Sequence, residues 1–272
     1  MNLHLDEKVV IVTGGASGIG ESICKKLSEE GAIPCILDHN EKNMEKIVRE
    51  IKQQYGIDAF SVLTELTNPS ACKDSIDKIL FKFGRINGLV NNAGINDGVG
   101  LENGNSEKFI ASLDKNVGHY FTIANYVLPA LKKSVGSIVN ICSKTAITGQ
   151  GGTSGYAAAN GERLVLTKEW AVELVPFGIN VNAVVVAECW TPQYEWWIKQ
   201  QSDPKEKLKE ITSKIPLENR MTTPEEIADT VLFLLSTNSK PINGQFFFVD
   251  GGYIFLDRGI RSNYKASFKG SY

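Results

Sequence analysis

The sequence predicts an α/β fold: one doubly wound parallel sheet of about seven strands with helices on both faces. Three observations carry that expectation. Short apolar runs alternate with amphipathic stretches from end to end, no Pro/Ser-rich linker or shift in composition interrupts them, and 272 residues at 42% hydrophobic fill one α/β domain of ordinary density. Residues 8–13, 33–38, 59–64, 88–91, 137–142, 179–186 and 245–249 read as the strands. Helices are expected over 18–30, 42–54, 70–83, 155–175 and 224–235, the third opened by Asn68-Pro69, a cap followed by the residue best suited to a first turn. The helical region 106–133 is expected to be two segments meeting near Gly118. Residues 190–216, rich in aromatic and charged side chains, form a long insertion of the kind that serves as a lid or binding loop. The domain is therefore expected to span 1–257, with 258–272 as a tail.

The charges nearly cancel at −2, with no basic stripe or acidic tail, which argues against nucleic acid and membrane surfaces as partners and suits a small neutral substrate. The five cysteines are odd in number and lack CxxC or Cys/His ligand spacing, so neither a disulfide framework nor a metal site is expected. Free thiols in a reducing cytoplasm are the default. No 18 apolar residues follow one another and the N-terminus has no apolar run before a cleavage site, which argues against membrane spanning and secretion.

The first chemical motif, Thr13-Gly14-Gly15-Ala16-Ser17-Gly18-Ile19-Gly20, falls where the first strand turns into the first helix. Glycines let the backbone approach a pyrophosphate, and the amides and dipole of the following helix attract its charge. A tight turn without a ligand would use similar residues, so the strand and helix context gives the motif its value. Asp38 ends the second strand, 18 residues after Gly20. A carboxylate there can accept both hydroxyls of an adenosine ribose and repels a 2′-phosphate, which favours NAD over NADP; the alternative is a helix N-cap ahead of Glu41.

These residues, with Asn91-Asn92-Ala93-Gly94, Asn116, Ser143 with Tyr156 thirteen positions later, and the 182–191 segment, resemble the short-chain dehydrogenase/reductase family over nearly the whole chain. Residues 91–98, 143–151 and Ala187-Glu188 before Thr191-Pro192 most resemble sugar dehydrogenases of the L-fucose dehydrogenase type. The resemblance implies a Rossmann-type domain in which Gly14, Ser17, Gly18, Ile19, Gly20 and Asp38 hold the cofactor. It places Glu65 and Leu66 near the adenine, Asn92, Ala93 and Gly94 along the cofactor, and Ala187 and Thr191 over the nicotinamide. Ser143 would hydrogen-bond the reacting oxygen, Tyr156 would exchange its proton, and Asn116 would help hold a relay water. It also implies dimers or tetramers built through the helices at about 119–133 and 155–175.

The sequence departs from the family pattern twice. Val186 and Ala187 replace the usual Pro-Gly, and Asn160 stands where a lysine normally follows the tyrosine by four residues. Free tyrosine has a pKa of about 10, so about one part in a thousand is phenolate at pH 7. An ammonium roughly 5 Å away, at an effective dielectric near 20, contributes about 3 kcal/mol and lowers that pKa by about 2 units. Asparagine cannot do this, although its amide could still bind the nicotinamide ribose. Lys144, Arg163 and the positive ring of the oxidised cofactor are the candidates for compensation, the two side chains being otherwise ordinary surface charges. The expectation is an enzyme slowed by about tenfold to a thousandfold, with an alkaline optimum that a restored lysine would relieve.

For a sugar substrate the candidate contacts are Asn96, Gln150, Glu188 and Trp196, with Trp190 and Trp197 nearby. Trp196 and Trp197 point in different helical directions, so at least one is expected to pack into the lid or a subunit contact. Two other readings stay open: an NAD-binding sensor or scaffold with impaired catalysis, and an NADP-linked acyl-chain reductase.

Overall fold

The computed structural model describes residues 2–256. The expected tail at 258–272 lies outside them. Seven strands form one parallel sheet in the order β3-β2-β1-β4-β5-β6-β7, with β1 Val9–Thr13, β2 Ile33–Asp38, β3 Phe60–Leu63, β4 Gly88–Asn91, β5 Ser137–Ser143, β6 Asn180–Val186 and β7 Phe246–Val249. The burial follows from the side-chain runs. β1, β4 and β6 are buried at every position and lie inside the sheet, whereas β3 and β7 lie at the edges and are partly exposed. The direction of the strand order reverses between β1 and β4, leaving a crevice at their carboxyl ends, and Val12 pairs with Leu37's neighbour Ile36 on one side and Val90 on the other.

Helices α1 Gly18–Glu29, α2 Glu41–Tyr55 and α3 Pro69–Phe83 connect the first four strands. α2 and α3 begin on side-chain caps from Asn40 and Asn68 and end at Gly56 and Gly84, both left-handed. Then come α4 Ser106–Leu113, α5 His119–Ser134, α6 Ser154–Glu173, α7 Pro192–Lys199, α8 Pro204–Thr212 and α9 Pro224–Leu235. α9 opens on a capping box between Thr223 and Glu226.

The apolar stripes of these helices cover both faces of the sheet. Ile23, Leu27, Met44, Ile47, Ile51, Ile227 and Val231 pack on one side, and Ile76, Ile79, Tyr120, Ile123, Val127 and Trp170 on the other. The expected break near Gly118 is a π-helical turn, Asp114–Gly118, between α4 and α5. The 190–216 insertion carries α7 and α8, capped by Thr191 and Asp203, on a small core of Ile198, Ile211, Ile215 and Met221. Among the described residues no helix is long and apolar enough to cross a membrane, no His/Cys/Asp/Glu cluster could hold a metal ion, and all five cysteines are free and buried.

Candidate active site

The carboxyl ends of β1, β2, β4, β5 and β6 frame a groove of about 660 Å³. Gly14, Ser17, Gly18, Ile19, Asp38, Glu65, Leu66, Asn92, Ala93, Gly94, Ser143, Tyr156, Ala187 and Thr191 all line it, which brings most of the expected cofactor residues onto one surface. Thr13 and Asn92 hold its floor. The Thr13 hydroxyl accepts from the amides of Asn92 (2.9 Å) and Ala93 (3.1 Å), and the Asn92 side chain donates to the carbonyls of Thr13 (2.9 Å) and Gly14 (3.2 Å).

The glycine loop fits a dinucleotide by its own geometry. Gly14 is left-handed (φ +63°), and a Cβ there would meet the Ala93 Cα at 3.0 Å, so only glycine keeps the two segments this close. Gly20 does not line the groove; a Cβ on it would lie 2.1 Å from the Gly14 carbonyl oxygen, so its work is to let α1 pack against the loop. Ser17 starts α1 without using its side chain as a cap, which leaves its hydroxyl and the first-turn amides for an anion.

At the far end Asp38 is 6% exposed, and its carboxylate accepts from the amides of Ala16 (3.1 Å) and Asn40 (2.9 Å). It braces the glycine loop, while Asn40 performs the helix capping that was the alternative for Asp38. Glu65 accepts from the Thr67 amide and hydroxyl, which holds its carboxyl below the usual range.

A second cavity of about 1180 Å³ opens from the same place and is lined by Asn96, Gln150, Glu188 and Trp196, together with Lys144, Tyr194, Trp197 and Tyr253. Ser143, Tyr156, Ala187 and Thr191 belong to both cavities. Lys144 is not a surface charge: it forms an ion pair with Glu188, at side-chain exposures of 8% and 12%, and lies 4.0 Å over the Tyr253 ring. The other Glu188 oxygen accepts from the Tyr194 hydroxyl (2.6 Å), and burial with the adjacent carboxylate pushes the Tyr194 phenol up. Trp196 is exposed at the cavity, whereas Trp197 packs edge-on against Tyr194 at 5.4 Å, so the two tryptophans do divide their roles. Tyr194 and Tyr253 went unrecognised in the sequence; only the spacing of Tyr194, three residues after the cap Thr191, hinted that it faces inward.

Asn160 is the main correction. It is fully buried and lines neither cavity, so its amide is turned into the protein and away from the groove. Its oxygen accepts from the Ser143 amide (2.8 Å) and from Arg163 Nη1 (3.1 Å), and its nitrogen donates to the Tyr156 carbonyl (2.8 Å). It thus ties the end of β5 to the first turns of α6, holding the main chain at Ser143 and Tyr156 from behind. Asn116 is corrected as well. It is fully buried in the π-helical turn, its side chain accepts from the Ile95 amide (2.8 Å) and donates to the Ser112 carbonyl (2.9 Å), and its own carbonyl is taken by Arg163 rather than facing an open cavity.

A buried polar chain anchors α6 at the sheet centre. Asn91 donates to Asn140 (3.0 Å), Asn140 to the Thr167 hydroxyl (2.9 Å), and Thr167 to the Arg163 carbonyl (2.7 Å). His119 also borders the groove, 2% exposed. Neither ring nitrogen makes a hydrogen bond of good geometry, the Lys115 main chain offering a weak one, and burial with the Arg163 charge lowers its pKa from 6.5 to about 3. Val186 and Ala187 line the groove despite replacing the usual Pro-Gly.

The comparisons with known proteins agree with this geometry. The family model described as enoyl-(acyl carrier protein) reductase matches residues 14–254. A 3-oxoacyl-[acyl-carrier-protein] reductase of Thermotoga maritima is 34% identical over 93% of this chain and 100% of its own length. An L-fucose dehydrogenase of Bos taurus is 32% identical over 84% of this chain and 83% of its length. The crystal structure of the Cj0485 dehydrogenase superposes with a TM-score of 0.90 at 40% identity, over 95% of this chain and 98% of that one. With the glycine loop, the Ser143 and Tyr156 pair and the reversal of strand order in place, the chain belongs to the short-chain dehydrogenase/reductase family, oxidoreductases that act on CH–OH groups with a nicotinamide cofactor.

Proposed function

We propose that this protein is an NAD-dependent dehydrogenase that oxidises a hydroxyl of a small, neutral, polyhydroxylated substrate, a sugar such as L-fucose taken from aldose to lactone. The observation that carries the reading is the shared wall. Ser143 and Tyr156 stand between a groove that ends at Asp38 and a cavity lined by Asn96, Gln150, Trp196 and the Lys144–Glu188 pair. The bound cofactor supplies the hydride acceptor. The Ser143 hydroxyl donates to the substrate oxygen, and Tyr156 takes its proton. Asp38 accepts the adenosine ribose hydroxyls, and its charge disfavours a 2′-phosphate.

The Lys144–Glu188 pair is neutral overall and rich in hydrogen-bonding groups, which fits a neutral polyol better than an acid or an alkyl chain. The likeness to an L-fucose dehydrogenase supports the same choice; the likeness to an acyl-carrier reductase supports the other, against the polar lining and Asp38. We also propose a homodimer or homotetramer formed through α5 and α6, which leave Phe121, Val165 and Val172 exposed.

The test is turnover of L-fucose, other aldoses, polyols and an acyl thioester with each cofactor, between pH 7 and pH 10. NADH formed from an aldose supports the proposal. NADPH-linked reduction of the thioester alone, or cofactor binding with no turnover of any substrate, overturns it.

A further inference from the structure

Arg163, one helical turn beyond Asn160, is 2% exposed and lines the groove beside Ser143 and Tyr156. Its Nε (2.9 Å) and Nη2 both donate to the Asn116 carbonyl, Nη1 donates to the Ile141 carbonyl (3.1 Å) and to Asn160 (3.1 Å), and Nη2 points toward the Ala93 carbonyl (3.4 Å). Its carbon centre lies 4.4 Å over the Tyr120 ring. No carboxylate pairs with it among the described residues.

A buried cation without a counter-charge is costly unless dipoles surround it, and here main-chain carbonyls and an aromatic face do so. The space is made for it: a Cβ on Gly94 would lie 2.5 Å from Nη2. The buried titratable groups that face it carry no charge around neutral pH. His119 on α5 is lowered to about 3, Cys142 on β5 is raised to about 12, and Tyr120 on α5 is raised, all mainly by burial. Tyr156 on α6 shares the groove, and Lys115 borders it from an exposed position.

We propose that Arg163 is the positioning cation of this site. As a permanent charge it takes the electrostatic place that a lysine at position 160 would hold, and its double hold on the Asn116 carbonyl closes that carbonyl to a proton relay. A guanidinium does not deprotonate in proteins, so this charge is indifferent to pH where a lysine's is not. The inference rests on the reading that the groove binds a nicotinamide cofactor, and its test uses binding rather than turnover.

The oxidised nicotinamide ring is positive and the reduced ring is neutral, so a fixed cation nearby weakens binding of NAD+ relative to NADH. The dissociation constants of both cofactors are to be measured for the wild type, Arg163→Met and Arg163→Lys at pH 7 and pH 10. Arg163→Met is expected to lower the ratio of the NAD+ to the NADH constant about tenfold, the effect of a unit charge at roughly 10 Å and an effective dielectric near 20. Arg163→Lys is expected to keep the wild-type ratio at pH 7 and drift toward the Met value at pH 10, near the ordinary lysine pKa of about 10.4. A purely structural role would weaken both cofactors alike, and an unchanged ratio in the Met variant overturns the proposal. Should that variant fail to fold, a Lys variant whose ratio is the same at both pH values overturns it. Wild-type protein that binds neither cofactor sinks this inference and the cofactor reading together, whereas binding without sugar turnover sinks only the dehydrogenase reading.

Discussion

Replacing Asn160 by lysine restores the family pattern, yet the structure turns the expected outcome from repair to damage. The site of the new ammonium is fully buried, and Arg163 Nη1 already lies 3.1 Å from the Asn160 oxygen. Two unit charges about 4 Å apart at an effective dielectric near 20 repel by about 4 kcal/mol. Lysine also has no acceptor for the Ser143 amide, now bonded at 2.8 Å, and an orphaned buried donor costs about 1–3 kcal/mol more. The sum, about 5–7 kcal/mol before relaxation, is comparable with the whole stability of a domain at about 5–15 kcal/mol. Asn160→Lys alone is therefore expected to lower the thermal midpoint by about 10–20 °C and to slow turnover. Combining it with Arg163→Leu removes the repulsion, so the double variant should regain much of the lost stability. Thermal and urea denaturation of the four proteins of the cycle give the coupling energy, expected at about 2 kcal/mol or more. A single variant as stable as the wild type and faster at neutral pH would refute the reasoning.

Other perturbations separate the remaining roles. Tyr156→Phe should remove turnover by about a hundredfold or more while leaving the NADH dissociation constant nearly unchanged, as measured by steady-state kinetics and fluorescence titration. Glu188→Gln leaves Lys144 buried without its counter-charge and should cost about 2–4 kcal/mol in urea denaturation, with a raised KM for the sugar. His119 is neutral in the fold, with a pKa of about 3 against 6.5 in the unfolded chain, so the unfolded state binds the extra proton between those values. Stability is then fully present above pH 6.5 and declines as pH falls toward 3; His119→Leu should flatten that decline, read from urea midpoints at pH 7 and pH 4.

The sheet was legible because apolar runs such as 9–12 and 183–186 call for burial on both faces, and one helix start was written in the pair Asn68-Pro69. That the glycine loop and Asp38 would meet at one groove was legible for the same local reason, since both are set by adjacent backbone. The reach of long side chains was not. Lys144 could pair with Glu188, 44 positions away, only once β5 and β6 lay side by side, and the inward turn of Arg163 depends on room left by Gly94, 69 positions earlier. Asn160 looked like a residue facing the cofactor because its family place is filled by a longer side chain. An amide is too short to leave the gap between Ser143 and Tyr156, and it bonds to what surrounds it.

The wide turn at Asp114–Gly118 accommodates one residue more than an α-helix would over the same rise. Excising Val117 would let α4 run into α5 as one α-helix with little change of phase beyond it, because the bulge already holds the surplus residue that a regular helix would express as a rotation of about 100°. Tyr120, Ile123 and Val127 would then keep facing the sheet they now cover. The loss from a lone deletion is consequently local: the flank of the β-sheet stays dressed, and what goes is the bulge that aims the Asn116 carbonyl at Arg163.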